Sequence, residues 1–222
     1  MEQELIGIFT RTLDAHFPSG AGVTRQEYLS GFGDMLRSEL PHAPVLDTQN
    51  GPLAAYIKLS VLALCMAKLQ LTYQQSERAI GERIYRTAEE YFRLSAIQKW
   101  IKRKLFFSSV NIRQIKGREL ATSQGENGVN GFRTRYVEAA NRDEFGVDYL
   151  SCGICDYFRR KGMFEYVKYL CLVDYAIMKN LGIHFGRTTT LGNNGGMCDF
   201  RFSKAGAIIE GWPPDALREF RL

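Results

Sequence analysis

The chain has 222 residues, of which 45% are hydrophobic, and its formal net charge is +5. This length fits one domain over 1–222, in which a helical portion (1–125) precedes an α+β portion (126–222). This net positive charge is small for the length of the chain, and no nucleic-acid recognition motif accompanies it, so no nucleic-acid partner is expected. Five cysteines form an odd set and the acidic N-terminus is unlike a secretory signal, which predicts a reducing, cytoplasmic location.

The first portion carries apolar residues at helical spacing between breaker residues. Thr24 with Glu27 three residues later has the pattern of a capping box, which would start a helix. The apolar run 53–71 is long enough to cross a membrane, but Lys58 and Lys68 interrupt it, so a buried helix and no membrane partner are expected. Helices are predicted over 2–16, 24–40, 53–73, 76–94 and 96–107. The last is predicted to be half-buried with a solvated basic face.

From residue 132 onward the pattern changes to aromatic and β-branched residues. The predicted order is strand–strand–helix–helix–strand–strand (ββααββ), with elements over 132–138, 145–151, 152–161, 163–180, 184–188 and 197–203. The fold class is therefore predicted to be α+β, with the helical N-terminal half packed on a small antiparallel four-stranded sheet and two helices.

The last two strands resemble a hairpin around a Gly/Asn loop. Strict alternation along the second strand places Asp199 and Arg201 on one face and Cys198 on the other. In the first strand, Arg187 and His184 fall on opposite faces. Asp199 and Arg201 are therefore candidates for an acid and a base on one surface. His184 is a candidate proton shuttle, although a lone histidine on a strand is more often structural.

The apolar helix 163–180 carries one acid near its centre. Cys171 and Asp174 lie three residues apart and share a face with Val167 and Met178. A buried carboxylate needs a partner, so Asp174 is expected to pair with a cation such as Arg187 or with a ligand. The alternative is a structural ion pair with Cys171 as core filler.

The motif Cys152-Gly-Ile-Cys155 has the spacing of two zinc ligands or of a redox dithiol. A second such motif is missing, and the gaps to Cys171 and Cys198 are long. No metal is therefore predicted, and these thiols are expected to be packing or catalytic residues.

With these residues assembled, the C-terminal third resembles the L-2-amino-thiazoline-4-carboxylic acid hydrolase family. The matching segments are Cys152-Gly-Ile-Cys155, Leu170-Cys-Leu-Val-Asp174, Phe185-Gly-Arg187 with Thr190-Leu191, and Gly195-Gly-Met-Cys-Asp-Phe-Arg-Phe202. In the helical half, Ala96-Ile-Gln-Lys-Trp100 is compatible with the same family.

The resemblance implies hydrolytic opening of a small cyclic amidine, in which water is added at the carbon between sulfur and nitrogen to give a carbamoyl amino acid. It implies no cofactor and a small-molecule substrate with a carboxylate. On this basis Arg187 or Arg201, with His184 nearby, would bind the substrate, Asp174 or Asp199 would pair with the amidinium, and Cys171 or Cys198 or an activated water would attack. A non-catalytic binding or sensing module is the alternative, and a homo-oligomer is compatible with the sequence.

Overall fold

A computed structural model describes residues 1–44, 52–123, 131–141 and 143–220 of the chain. The boundary predicted near residue 125 lies outside these ranges. The fold is α+β and 61% helical. A hydrophobic core joins the first helices to the sheet, because it includes Leu5 and Phe32 from the N-terminal portion as well as Phe185 and Phe202 from the C-terminal portion.

The helices follow the predicted segments, with one addition. Their bounds are α1 Glu2–Arg11, α2 Leu13–His16, α3 Arg25–Glu39, α4 Pro52–Thr72, α5 Glu77–Tyr91, α6 Ala96–Phe106, α7 Ser109–Ser123, α8 Gly153–Arg160, α9 Val167–Cys171 and α10 Val173–Leu181. The capping box at Thr24 and Glu27 is confirmed, since each side chain accepts from the other residue's backbone N–H at 3.2 and 2.9 Å. Helix α7 was not predicted.

The four strands are β1 Arg133–Val137, β2 Glu144–Ser151, β3 His184–Gly186 and β4 Cys198–Ser203. They form one antiparallel sheet in the order β1-β2-β4-β3. The predicted pairing of the last two strands is confirmed, with Phe185 opposite Phe202. Their connection is a longer loop with a 3-10 turn, after which Asn194 has a φ of 59°, a left-handed conformation that asparagine tolerates.

Alternation along the strands gives the sheet two different faces. The inner face is aromatic and packs against the helices through Phe145, Phe185, Phe200 and Phe202, whose rings contact one another. The outer face carries charged residues, including Asp148 on β2 and Arg201 on β4. Cys198 therefore lies on the inner face and Asp199 on the outer face, as alternation predicts.

Helix α4 is the central helix of the N-terminal portion and packs against α3, α5 and α8. By length and composition alone, Ala55–Thr72 passes as a candidate membrane span, but 61% of it is buried inside the fold. Lys68 forms an ion pair with the buried Glu39 of α3, and Lys58 reaches Glu4 of α1. These contacts fit the interior helix predicted from the sequence.

Helix α6 differs from the prediction of a half-buried helix. Its apolar residues Ile97, Trp100 and Leu105 are 73%, 59% and 60% exposed. Its lysines Lys99, Lys102 and Lys104 are exposed, as the predicted basic face requires, and Arg103 is partly buried, where it donates to the carbonyl of Lys204. The spacing therefore correctly predicts a helix with a solvated basic face, but the apolar face is exposed as well.

The predicted helix 163–180 is divided into a 3-10 turn, Phe164–Tyr166, followed by α9 and α10. The segment ends as predicted at Gly182, which adopts the left-handed conformation with φ 68°. Despite the interruptions, Val167, Cys171 and Asp174 still line one cavity, and Asp174 and Met178 line a second cavity. The predicted shared face is therefore retained.

Candidate active site

Two cavities meet between the inner face of the sheet and the helices. The first, here called the cysteine chamber, has a cavity volume of about 80 Å³, and Cys152, Cys171 and Cys198 contribute to its wall. The second, here called the arginine chamber, has a cavity volume of about 230 Å³ and includes Arg118. Both chambers share the residues Tyr56, Tyr149, Asp174 and Phe200. Asp174 therefore stands where the two chambers meet.

Asp174 is held by a buried ion cluster. Arg187 donates through Nη1 to Asp174 Oδ2 at 2.8 Å and through Nε to Glu219 Oε1 at 3.0 Å. Its Nη2 donates to the carbonyl of Cys171 at 2.7 Å. Glu219 also accepts from the Tyr175 hydroxyl at 2.6 Å. This cluster fixes Arg187 behind Asp174 and confirms the predicted pairing of the two residues.

The electrostatics of the cluster leave a carboxylate facing the cavities. Burial alone would lower the pKa of the Arg187 guanidinium. The negative charge of Asp174, and to a lesser extent that of Glu219, outweighs this effect and raises the pKa above its ordinary value. Burial also raises the pKa of Asp174, which Arg187 counteracts. A carboxylate with a raised pKa beside an apolar cavity is suited to pair with a cationic ligand and to accept a proton.

Cys152 has a different environment from the other thiols. It precedes α8, and its sulfur receives a hydrogen bond from the Cys155 thiol, which is the largest influence and lowers the pKa of Cys152. Burial opposes this effect, but the backbone N–H groups of Cys155 and Ile154 at the start of the helix lower the pKa further. The same hydrogen bond raises the pKa of Cys155. Cys152 is thus the thiol of this pair that ionises more easily.

The two predicted nucleophiles, Cys171 and Cys198, line the same chamber but are less easily ionised. Burial raises the pKa of Cys171 well above its ordinary value, although Arg187 opposes the shift. Burial raises the pKa of Cys198 to about 12, although its Sγ accepts a hydrogen bond from the backbone N–H of Leu191 at 3.2 Å. Of the three thiols in the chamber wall, Cys152 is the one with a lowered pKa.

Arg118 supplies a cation to the arginine chamber. It lies on α7, and among the described residues its guanidinium donates only to the backbone carbonyl of Gln114, at 3.4 Å. Burial raises the pKa of Tyr56 and Tyr149, and the charge of Arg118 opposes part of this rise. Arg118 therefore lies close to both of the tyrosines that the two chambers share. This arginine can therefore bind an anionic group of a ligand.

Asp199, Arg201 and His184 do not line either chamber. Asp199 accepts from Thr188 N at 2.8 Å, Thr188 Oγ1 at 2.7 Å and Thr189 N at 2.9 Å, and so holds the loop after β3. His184 Nδ1 lies 2.6 Å from the carbonyl of Ala207. Each of these residues therefore has a structural partner, and Asp199 and Arg201 do not pair with each other. Their assignment to a site remains a prediction.

Arg201 instead binds Asp148, which is 1% exposed. Arg201 Nη1 donates to Asp148 Oδ1 at 2.7 Å, and Arg135 Nη2 donates to Asp148 Oδ2 at 2.6 Å. Gly146 allows this crossing, because a Cβ there would lie 2.9 Å from Arg201 Nη1. The outer face thus carries its own charge cluster, separate from Asp174.

Within the residues that the structure describes, no three histidine, cysteine, aspartate or glutamate side chains form a group that could hold a metal ion. Cys152, Cys171 and Cys198 surround a cavity instead of converging on one point. All five cysteines are free thiols.

The site combines a thiol with a lowered pKa, a largely buried carboxylate and a cation around an apolar cavity, which is the composition of a small-molecule site. The family model for L-2-amino-thiazoline-4-carboxylic acid hydrolase matches residues 69–202, and the chain belongs to this family. The matched region covers most of both chambers. No curated protein and no solved structure shows significant similarity to the chain.

Sequence reasoning missed three residues of this site. Arg118 lies on α7, whose apolar residues are not gathered on one face. Glu219 lies near the end of the chain, in a segment without a periodic pattern. Cys152 belongs to the motif whose thiols are expected to be packing or catalytic residues, but the sequence names Cys171 and Cys198 as the nucleophile candidates; a strand followed by helical spacing could have indicated that Cys152 precedes a helix.

Proposed function

We propose that the protein is a cofactor-independent hydrolase that opens a cyclic amidine bearing a carboxylate, with 2-amino-thiazoline-4-carboxylate as the reference substrate. The observation that carries the proposal is the joint placement of Cys152 and Asp174 in the wall of the cysteine chamber. Membership of the L-2-amino-thiazoline-4-carboxylic acid hydrolase family supports this reaction class.

In this proposal Asp174 binds the substrate cation. The amidinium of the ring carries a positive charge on two nitrogens, and a buried carboxylate pairs with such a group and keeps its central carbon electrophilic. Arg187 acts as a positioning residue, because its hydrogen bonds hold Asp174 but its guanidinium is already bound to Asp174, Glu219 and the Cys171 carbonyl. Arg118 binds the substrate carboxylate.

Cys152 is the nucleophile. Its thiolate adds to the ring carbon between sulfur and nitrogen, and the bond from that carbon to the ring sulfur then breaks. The ring sulfur leaves as a thiolate and takes up a proton, while the carbon stays bound to Cys152 as an isothiouronium group. Asp174 next accepts a proton from water, which adds to the same carbon. Finally the bond to Cys152 breaks and the thiolate is restored, while the added hydroxyl loses its proton to solvent as the carbonyl forms. Asp174 also returns its proton to solvent, and the product is a carbamoyl amino acid with a free thiol.

The test is incubation of the purified protein with 2-amino-thiazoline-4-carboxylate while ring absorbance and new free thiol are followed. We expect one thiol per ring opened, and a loss of at least about 10³-fold in kcat for Cys152→Ser. Cys65→Ser is the matched control, because Cys65 is buried in α4 and does not line either chamber. Saturable binding of the compound without any release of thiol would instead favour the binding or sensing module.

A further inference from the structure

The arginine chamber is larger than the reference substrate requires. The arginine chamber has a cavity volume of about 230 Å³, against about 80 Å³ for the cysteine chamber. An apolar cavity of about 150 Å³ already holds a benzene ring. If the ring carbon lies at Cys152 and the amidinium at Asp174, most of the arginine chamber remains unfilled.

The wall of the arginine chamber has a definite chemistry. Its apolar surface comes from three elements that face one another, with Phe106 from α6, Ile115 from α7 and Met178 from α10. The inner face of the sheet adds Phe145 and Phe202, whose rings lie 5.0 Å apart. Such a surface favours an aromatic or branched apolar group. Arg118 and Asn111 add a cation and an amide at the same wall.

We propose that the arginine chamber is a second subsite, which binds an aromatic or branched apolar substituent on the ring of a larger cyclic amidine carboxylate. The inference rests on the proposed function for its orientation, since the amidine is placed at Asp174. The shared residues Tyr149 and Phe200 form a continuous wall from one chamber to the other, so one ligand can occupy both. The preferred substrate is therefore larger than the compound in the family's description.

The experiment compares two probes, 2-amino-thiazoline-4-carboxylate and its 5-phenyl derivative. Their Kd values are measured by calorimetry on Cys152→Ser protein, so that the result does not depend on turnover. We expect the 5-phenyl compound to bind about tenfold or more tightly, because a phenyl group is removed from water. The second variant, Met178→Phe in the Cys152→Ser background, fills the chamber and should weaken the 5-phenyl compound at least about tenfold more than the small compound.

Met163→Phe is the matched control, because Met163 is also a buried methionine but does not line either chamber. It should leave the ratio of the two Kd values unchanged. Equal affinity for both probes, or a ratio that Met178→Phe does not alter, would overturn the second subsite. Failure of the proposed reaction gives a different result, namely no thiol release by the wild-type protein, whatever the two Kd values are.

Discussion

A carboxylate lies beside arginine on each side of the sheet, Asp148 on the outer face and Asp174 on α10 next to the inner face, but the surroundings differ. On the outer face, Asp148 is bound by Arg135 and Arg201, whose side chains are 54% and 45% exposed. On the inner side, Arg187 is 1% exposed and Asp174 borders two cavities. The outer cluster is satisfied by its own partners and by solvent. The inner carboxylate faces space that a ligand can fill, so we propose that similar residues serve stability on the outer side and chemistry on the inner side.

The largest expected effect is on the inner side. Asp174→Asn keeps the size of the side chain but removes the charge that pairs with the amidinium and the base that accepts a proton from water. We expect kcat/KM for the thiazoline to fall about 10²–10⁴-fold, with the protein still folded. If Asp174→Asn kept most of its activity and lost only thermal stability, Asp174 would be a structural residue like Asp148, and the proposed difference between the two sides of the sheet would be wrong.

The pH dependence of the reaction should follow the Cys152 thiolate. Because the pKa of Cys152 is lowered from 9.0, the active form is present above this lowered pKa and is lost as the pH falls through it. We expect kcat/KM to fall about tenfold per pH unit below that point. Cys155→Ala removes the hydrogen bond that lowers the pKa of Cys152 most, so the fall in kcat/KM should begin at a higher pH. Cys65→Ala should not move it, and a shift of equal size in both variants would disprove the role of Cys155.

On the outer face the same kind of substitution should affect stability. Asp148→Asn leaves two guanidinium groups without their anion, but both can turn to solvent, so we expect a loss of about 1–3 kcal/mol in the free energy of unfolding. Urea denaturation measures this loss, and kcat/KM per folded molecule should stay within about twofold of wild type. A tenfold loss in kcat/KM at unchanged stability would place the outer cluster in the mechanism.

The smallest effects are expected at Asp199 and Arg201. Arg201→Lys keeps a cation near Asp148 on a half-exposed side chain, and should cost about 1 kcal/mol or less. Asp199→Asn weakens the hydrogen bonds to Thr188 and Thr189, and should cost about 1–2 kcal/mol. Thermal melts and kinetics on both variants check these values. Loss of activity in a fully stable Arg201→Lys protein would restore the site assignment made from sequence.

Local patterns predicted most of the fold. The period of two along β2 and β4 gave the faces of the sheet, and the acid in the apolar segment 163–180 predicted a cationic partner, which is Arg187. Spacing can indicate which residues share a face of one element. It does not indicate which face borders a cavity, so the sequence predicts a site at Asp199 and Arg201 as well as at Asp174.

The remaining parts of the site depend on contacts between distant segments. Arg118 reaches the arginine chamber only because α7 packs on β1. Glu219 completes the cluster around Arg187, although it lies 32 positions further along the chain. The lowered pKa of Cys152 needs the Cys155 thiol to point back at it, which the motif allows but does not require. These three features follow from tertiary packing and not from any local period.

The central claim is that Cys152 and Asp174 form the reactive pair, and labelling by 2-chloroacetamidine tests it most directly. The thiolate displaces chloride from this small amidinium, and peptide mass analysis identifies the modified cysteine. We predict that Cys152 is labelled first, faster than with neutral 2-chloroacetamide, and that Asp174→Asn removes this preference for the cation. First labelling at Cys171 or Cys198, or equal rates with the two reagents, would contradict the account.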